Sequence, residues 1–385
     1  EGVKEAIAEC HEAKIRTFIM TGDHAVTAQA VGKQIGLSGD GEAAPVITGR
    51  ELHAMEDEPL RTSMAENDSM IFSRVDPEDK LRIVTLLEDH GEVVAVTGDG
   101  VNDAPALKRA DIGVAMGRIG TDVAKEASEL VLLDDSFPTL VEAVREGRTI
   151  YANLKKTVLA SMTTNIAELT VVLLGLAAVT LRNWAIPILA IQILAIDLLA
   201  EIMPLTALTF DPPSKGTMTS PPRDLGAHIM NRRASTEVAF LGGLIGTLSF
   251  LNFALFMWRS GVTFTVDNTD TILYARATTI SYLTIAYCQF FNVMSRRFER
   301  ETLFTRNFWT NKTILWSIVV SIGMTTLAVY GPFLHRVLSF AHLSPADWIY
   351  VVGAGLTYLL AFEIMKAFKR AQHRGEPVSD GAAAG

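Results

Sequence analysis

The sequence predicts two structural classes in one chain: an α/β domain built on a parallel sheet, then an all-α domain of six transmembrane helices. Three observations carry this. Over residues 1–150, short apolar runs alternate with helix-patterned segments in charge-rich surroundings. From about residue 157, long apolar blocks follow one another with short polar breaks. Thr-Gly-Asp closes two of the early apolar runs, at 21–23 and 97–99, where a parallel sheet presents its ligand sites.

The elements follow in order. Residues 2–14 read as an amphipathic helix, and "IRTFIM" (15–20) as a strand. A helix over 24–35 stops at Gly36, and "PVIT" (45–48) is a weak strand. Residues 49–69 are acidic and fit either helix or loop. "MIFSRV" (70–75) is a strand, after which Asp76-Pro77 opens a helix over 77–90, with Pro at a permitted first-turn position. "EVVAV" (92–96), "DIGVAM" (111–116) and "ELVLL" (129–133) complete the strands, and 138–156 reads as a helix carrying Arg145, Arg148, Lys155 and Lys156. Strands alternating with helices predict one parallel sheet covered on both faces.

Six apolar blocks, at about 159–181, 186–208, 237–258, 276–294, 314–334 and 346–366, have the length of bilayer-crossing helices. Six in succession are rare outside membranes. Arg223, Arg232 and Arg233 lie between the second and third blocks; Arg296, Arg297, Arg300 and Arg306 between the fourth and fifth. Lys366, Lys369, Arg370 and Arg374 follow the sixth. The loops after blocks three and five carry Asp267, Asp270 and Asp347 and fewer basic residues. The positive-inside rule then places residues 1–156 and the C-terminus in the cytoplasm, with 371–385 as a disordered tail.

The net charge of −9 is shared by two unlike halves and indicates no partner. No basic patch interleaved with aromatics is present, which excludes nucleic acid. Cys10 and Cys288 sit in a charged helix and an apolar block, so no disulfide is expected. The chain opens in a helical pattern without an initiator Met or a signal peptide, and reads as cut from a longer protein.

The strand-end motifs share a chemistry. Thr21, Gly22 and Asp23 end one strand; Lys80 sits in the first turn of the helix after another; Asp99, Asn102 and Asp103 follow a third. A hydroxyl, an ammonium and paired carboxylates suit phosphoryl transfer. Mg²⁺ prefers hard oxygen ligands shared with phosphate, and lysine, threonine and backbone N–H groups stabilise phosphoryl oxygens. Gly98 and Gly100 allow a tight turn and close approach to a ligand. Asp103 can also cap the helix that follows.

Taken together, "MTGDHAVTAQAVGKQIGL", "DPEDKLRIV", "VAVTGDGVNDAPALKRADIGVAMG" and "GTDVAKEASELVLLDD" resemble the phosphorylation domain of P-type cation pumps, and the resemblance continues through the six blocks. It implies a haloacid-dehalogenase-like (Rossmann-like) fold over 1–150, a membrane domain over 151–370, and ATP and Mg²⁺ as cofactors. It implies that Asp99 binds Mg²⁺, that Asp103 and Asn102 support the metal and the phosphoryl site, and that Lys80, Thr21 and Gly22 contact the phosphoryl group, with Asp23 closing the loop. The family's nucleophile is the Asp of an Asp-Lys-Thr-Gly-Thr motif, which this chain lacks; its one Asp-Lys pair is Asp79-Lys80. The nucleophile, most of the ATP site and the first four spans are therefore expected upstream. The fragment alone is expected to be inactive.

Three carboxylates fall within the apolar blocks: Glu168, Asp197 and Glu201. A mid-membrane charge costs about 2.5–3.5 kcal/mol on insertion scales, so three cost roughly 7–10 kcal/mol, and such residues mark function. Asn165 and Glu168 (i,i+3) and Asp197 and Glu201 (i,i+4) each share a helix face, and facing pairs make an oxygen cage for a hard cation. Pro204 removes a backbone hydrogen bond one turn later and can free a carbonyl. By resemblance, Asn165 and Glu168 match calcium and sodium/potassium pumps. Asp197 is similar to the sodium/potassium pump, and Glu201 stands where both carry Asp. Ala200 and Ala286 replace a Thr and a Glu ligand of the reticulum calcium pump. "DPPSKGTMTSPPR" (211–223) resembles the loop these pumps carry after this span, and no Cys-Pro-Cys points to the heavy-metal branch. Gln289 and Asn292 read as interhelical hydrogen-bonding partners.

The leading expectation is the C-terminal portion of an ATP-driven pump for Ca²⁺ or Na⁺/K⁺ in a cell membrane. An upstream aspartyl-phosphate would act on the carboxylates through the helix at 138–158. Two alternatives stand beside it. One is a non-catalytic membrane module or regulatory remnant of such a pump. The other is a membrane-tethered phosphatase, for which "DDSF" (134–137) is the nearest nucleophile candidate and lacks the required second Asp two residues on.

Overall fold

The computed structural model describes residues 2–39, 43–214, 216–224, 226–269, 271–298, 301–303 and 306–372. Asp270, Arg300 and Arg374, used above for orientation, and the expected tail from 373 onward lie outside them. The chain divides into two compact units. The first holds the described residues of Glu1–Arg148 and Pro213–Gly226; the second holds those of Thr149–Pro212 and Ala227–Pro377.

In the first unit, helices and strands alternate: α1 (Val3–Glu12), β1 (Thr17–Thr21), α2 (Ala25–Gln34), β2 (Val46–Thr48), α3 (Gly49–Ala54), α4 (Asp57–Glu66), β3 (Ser69–Ser73), α5 (Pro77–Asp89), β4 (Ala95–Gly98), α6 (Ala104–Arg109), β5 (Ile112–Met116), α7 (Asp122–Glu126) and β6 (Leu130–Leu132). The acidic stretch 49–69 resolves into two helices. α3 starts at a reciprocal capping box between Thr48 and Glu51. α5 starts behind Asp76, whose backbone N–H donates to Asp79 Oδ2 at 3.0 Å, with Pro77 in the first turn.

Every pairing among these six strands is parallel. The single sheet expected from the alternation is instead two three-stranded sheets, ordered β1-β3-β2 and β4-β5-β6. The central strand β3 is buried along its whole length, as suits a strand flanked by parallel neighbours. Side chains continue the core where the backbone ladder stops. Met20 of β1 packs both into the cluster of Leu52, Phe72 and Ile83 and into that of Val84, Val96 and Leu107.

The second unit is helical: α8 (Phe137–Arg182), which begins in the first unit's residues, α9 (Ala190–Ala195), a π-helical turn (Ile196–Glu201), α10 (Ile202–Thr209), α11 (Arg232–Ser260), α12 (Ile272–Arg296), α13 (Lys312–Tyr330), α14 (Leu334–Val337) and α15 (Pro345–Gln372). At 46 residues, α8 is about 69 Å long, more than twice a hydrocarbon core.

Among the described residues five helical stretches are long and apolar enough to cross a membrane: Phe137–Arg182, Ala190–Thr209, Arg232–Ser260, Lys312–Tyr330 and Pro345–Ala371. The sixth expected span, 276–294, forms as α12 but falls short of that apolarity. The reason is its position. Every residue from Ala277 to Ala286 is buried, and Thr278, Thr279, Ser281, Thr284, Gln289, Asn292 and Ser295 face protein rather than lipid. A helix enclosed by other helices keeps polar groups that hydrogen-bond across its neighbours. Ser249 Oγ donates to Ser281 O at 3.0 Å, and Asn252 Nδ2 to Thr284 Oγ1 at 2.9 Å.

Candidate functional site

The first cluster is built from three chain turns. β1 ends at Thr21, which is in register with Ser73 of β3. The Asp23 N–H donates to Thr21 Oγ1 at 3.1 Å, and the carbonyls of Thr21 and Asp23 accept from the N–H groups of Val75 and Arg74 at 3.2 and 3.1 Å. The Thr21-Gly22-Asp23 loop is thereby fastened to the segment that leads into α5. One turn into α5, Lys80 Nζ lies 2.7 Å from Asp103 Oδ1. Asp103 Oδ2 accepts from the N–H groups of Asp99 and Gly100 at 3.2 and 3.1 Å.

Asp103 is buried, and it makes no side-chain cap to α6. The capping role open to it in the sequence is replaced by a reach backwards over its own loop. Burial alone pushes its carboxyl up, but Lys80 and the two amides outweigh this and hold it below the ordinary aspartate value. Gly98 makes the arrangement possible, because a Cβ there would stand 2.5 Å from Asp103 Cβ. Asp99 is different. Its backbone carbonyl accepts from Thr121 N at 2.9 Å, while its side chain is exposed and has no hydrogen bond or ion pair to another described residue. Asn102 is exposed in the 3₁₀ turn between β4 and α6, and Gly22 and Asp23 are exposed on theirs.

"DDSF" is a structural turn. Asp134 accepts from Thr139 Oγ1 at 2.5 Å and from Ser136 N at 3.2 Å; Asp135 accepts from the N–H groups of Arg118 and Ile119 at 2.9 and 3.0 Å. Both carboxylates are taken up by local hydrogen bonds, to the Thr139 hydroxyl and to backbone N–H groups.

The second cluster lies on α8 and the π-helical turn. Glu168 interacts electrostatically with both Asp197 and Glu201, so the carboxylates singled out in the sequence share one neighbourhood. Glu201 is buried and Glu168 and Asp197 are half-buried. Glu168 Oε1 and Glu201 Oε2 have no hydrogen-bond partner, and no Lys, Arg or His among the described residues forms an ion pair with any of the three. Asn165 is exposed one turn from Glu168.

Sequence reasoning missed two contributors. Ser161 and Thr164 of α8 lie near the Glu201 carboxyl. Their signal was present: 161, 164, 165 and 168 follow the i, i+3, i+4, i+7 pattern of a single helix face. The π-helical turn was also missed. It contains both Asp197 and Glu201 and ends three residues before Pro204. Pro204 cannot donate to the carbonyl four residues back, that of Ala200, so the ladder is broken at this point. Single π turns inside helices recur at functional sites. On the other side of the turn, Ala200 packs with Ala286 and Phe290, so α12 meets it with apolar surface.

Residues 185–368 match a family profile described as cation transporting ATPase, C-terminus, and residues 1–111 match the haloacid dehalogenase-like hydrolases. A calcium-transporting ATPase of Bacillus subtilis is 37% identical over 365 residues, covering 94% of this chain and 39% of that protein. The chain belongs to the P-type cation-transporting ATPases. A second ATPase relative, the endoplasmic reticulum-type calcium-transporting ATPase 4 of Arabidopsis thaliana, is 33% identical over 94% of this chain and 38% of its own length. The calcium-transporting ATPase type 2C member 1 of Bos taurus is 33% identical over 98% and 38%. The chain thus spans about two fifths of these P-type ATPases, all three of which are named as calcium transporters. With five membrane-length apolar helices among the described residues, this chain is a multi-pass membrane protein.

Proposed function

We propose that this chain is the portion of an ATP-driven calcium pump that holds its phosphoryl-handling loops and its ion-binding carboxylates. The observation that carries the reading is the second cluster. Three carboxylates gathered on two membrane helices, two of their oxygens unpartnered, have no cationic side chain among the described residues paired with them. Uncompensated buried charge of this kind is retained only where protons or a cation supply the balance. Oxygen-only ligands select a hard cation, and the relatives' names favour Ca²⁺. Asn165, Glu168, Asp197 and Glu201 are the proposed ligands.

In the first cluster Thr21, Gly22 and Lys80 are proposed to hold the phosphoryl group, with Asp23 and Asn102 at its rim. The residues fit Mg²⁺, since Asp99 offers an exposed carboxylate with no partner among the described residues. Asp103, tied to Lys80 and to the Asp99 amide, sets where that carboxylate stands. When bound, Mg²⁺ would neutralise charge on the phosphoryl oxygens. The phosphorylated Asp and most of the ATP site belong to the remainder of the pump. On this reading 1–150 is the phosphorylation-domain segment and 151–370 the membrane domain. Residues 1–156 and the C-terminus face the cytoplasm of a cell membrane.

The test is phosphoenzyme formation from labelled ATP by the full-length pump in membranes, over a range of free Ca²⁺. Glu168→Gln and Glu201→Gln should raise the Ca²⁺ requirement, whereas Asp99→Asn should abolish phosphorylation and leave Ca²⁺ binding intact. Phosphoenzyme that forms equally without Ca²⁺, or that ignores both glutamate substitutions, sinks the calcium reading. A full-length protein that forms none at all supports a non-catalytic membrane module.

A further inference from the structure

Three helices of the second unit meet where α11 stops and α12 and α15 start. Asp347, in the first turn of α15, is fully buried there. Its Oδ1 accepts from Arg259 of α11 and its Oδ2 from Arg276 of α12. Oδ2 also accepts from the Ser344 N–H and the Ser344 hydroxyl, both at 2.8 Å. Four donors fill this carboxylate, yet its charge is outnumbered. Two guanidinium groups against one carboxylate leave one positive charge over. Among the described residues neither arginine makes a second ion pair, and Arg276 Nε has no acceptor. The two arginines are not sealed in, since their side chains are 34% and 24% exposed. Aromatic rings hold them in place. The Arg259 guanidinium carbon lies 5.2 and 5.1 Å from the ring centres of Phe256 and Tyr350, and that of Arg276 lies 5.7 Å from Phe256.

The unbalanced charge sits at the level where helices leave the hydrocarbon. Trp258, next to Arg259, is 83% exposed, and Trp348 follows Asp347 directly. Tryptophan and tyrosine collect at the headgroup level of a bilayer. Further along α11, Leu255 and Leu251 continue the exposed face that Trp258 begins (i, i−3, i−7), and along α15 Val352 and Leu356 continue that of Ile349. We propose that Arg259 and Arg276 form a site for the phosphate of an anionic glycerophospholipid, whose acyl chains run along these exposed apolar residues of α11 and α15. Guanidinium is the side chain best matched to phosphate, and basic pockets between membrane helices take anionic headgroups. The phosphate balances the charge that Asp347 leaves over. A headgroup amine would bring a third cation to the two arginines, so phosphatidylglycerol fits the site and phosphatidylcholine does not. Free phosphate has the charge but no chains for the apolar faces below.

The test is lipid binding to the full-length pump, delipidated in detergent and read by native mass spectrometry. The probes are phosphatidylglycerol, phosphatidylcholine with the same chains, and inorganic phosphate. The wild type should bind phosphatidylglycerol about fivefold more tightly than phosphatidylcholine, the worth of one basic residue at a lipid surface. An excess of inorganic phosphate should not displace it. Arg259→Gln leaves Arg276 to neutralise Asp347 and should remove the preference, while Arg259→Lys, which keeps the charge, should retain part of it. Arg336→Gln, at an exposed arginine of α14, should change nothing. Equal binding of the two lipids by the wild type overturns the proposal. So does an equal loss in Arg336→Gln, which marks diffuse surface charge, and so does displacement by inorganic phosphate, which marks a site for the soluble ion. Should Arg259→Gln fail to fold, the wild-type comparison of the three probes still decides. The proposal does not rest on the calcium reading: lipid preference is measured without Ca²⁺ or ATP, so either reading fails without the other.

Discussion

Lys80 and Asp103, 23 positions apart, meet at 2.7 Å with both side chains largely buried. Asp103 thereby joins the first turn of α5 to the loop after β4, whose Asp99 and Gly100 amides it also accepts. Asp103→Asn removes the charge and keeps the shape. The cost should be about 2 kcal/mol, the scale of hydrogen bonds to charged groups, or roughly thirtyfold faster exchange of the Asp99 and Gly100 amides. The sign with pH follows from the direction of the shift. The carboxyl is held below its ordinary 3.8, so its stabilisation is complete above that value and is lost as pH falls through the lower folded-state value. Hydrogen exchange should therefore show a constant gap between wild type and variant from pH 7 to about 5, closing only below about 4. A gap that closes between pH 7 and 5 would contradict the pairing.

Asp211 gathers a second buried network. Its Oδ1 accepts from Arg297 Nε at 2.9 Å and Asn311 Nδ2 at 3.1 Å, while Lys156 Nζ lies 3.5 Å from Oδ2. Arg297 has a side chain only 1% exposed. Asp211→Ala leaves that guanidinium without its counter-charge, and breaking a buried pair from one side costs about 3–5 kcal/mol. The expected outcome is a large fall in the thermal midpoint of the detergent-solubilised protein. Adding Arg297→Met should recover much of it, because the stranded charge is then gone. A double variant as unstable as Asp211→Ala would show that the network is more than an ion pair.

The sequence made the alternating α/β order legible because its apolar periods change from strand to helix, and the two loop motifs marked the strand ends. It also located Glu168, Asp197 and Glu201, since charge inside apolar blocks stands out. β4 was expected at 92–96 and forms at Ala95–Gly98. The apolar run gave no register, and the Val94 N–H goes to Asp111 Oδ2 at 2.9 Å instead of to a ladder partner. The Lys80–Asp103 bond could not be read at all, because it depends on two loops meeting in space. α12 read as a lipid span by length, but its Thr, Ser, Asn and Gln residues declared a helix enclosed by protein.

α11 approaches α8 through Gly242 and Gly246. A Cβ on Gly246 would lie 2.4 Å from Ala167 O and 2.6 Å from Thr170 Cβ; one on Gly242 would lie 2.6 Å from Thr163 O. The nearest obstacles are backbone atoms, which cannot rotate away. Small residues four apart let membrane helices come this close. Gly246→Ala should cost about 1–3 kcal/mol by overpacking and lower the thermal midpoint in detergent. Gly243→Ala meets nothing within 4 Å and should not lower it, since alanine is favoured over glycine in a helix interior. Equal effects at 243 and 246 would point to helix propensity as the cause.

Pro204 lies just past the π-helical turn that carries Asp197 and Glu201. Pro204→Ala returns an N–H able to bond the Ala200 carbonyl, and alanine is favoured over proline in helix interiors by about 3 kcal/mol. The ordinary ladder should then run from α9 into α10 without the extra residue. Stability should rise, yet the carboxylates would be rotated against the residues that follow and against Glu168. A gain in thermal midpoint together with at least a tenfold higher Ca²⁺ requirement for phosphoenzyme formation is the expected result. The opposite signs matter, because simple damage to the helix would lower both stability and affinity. A variant with raised stability and unchanged Ca²⁺ requirement would show that the π-helical turn is a consequence of the proline and has no part in holding the ion.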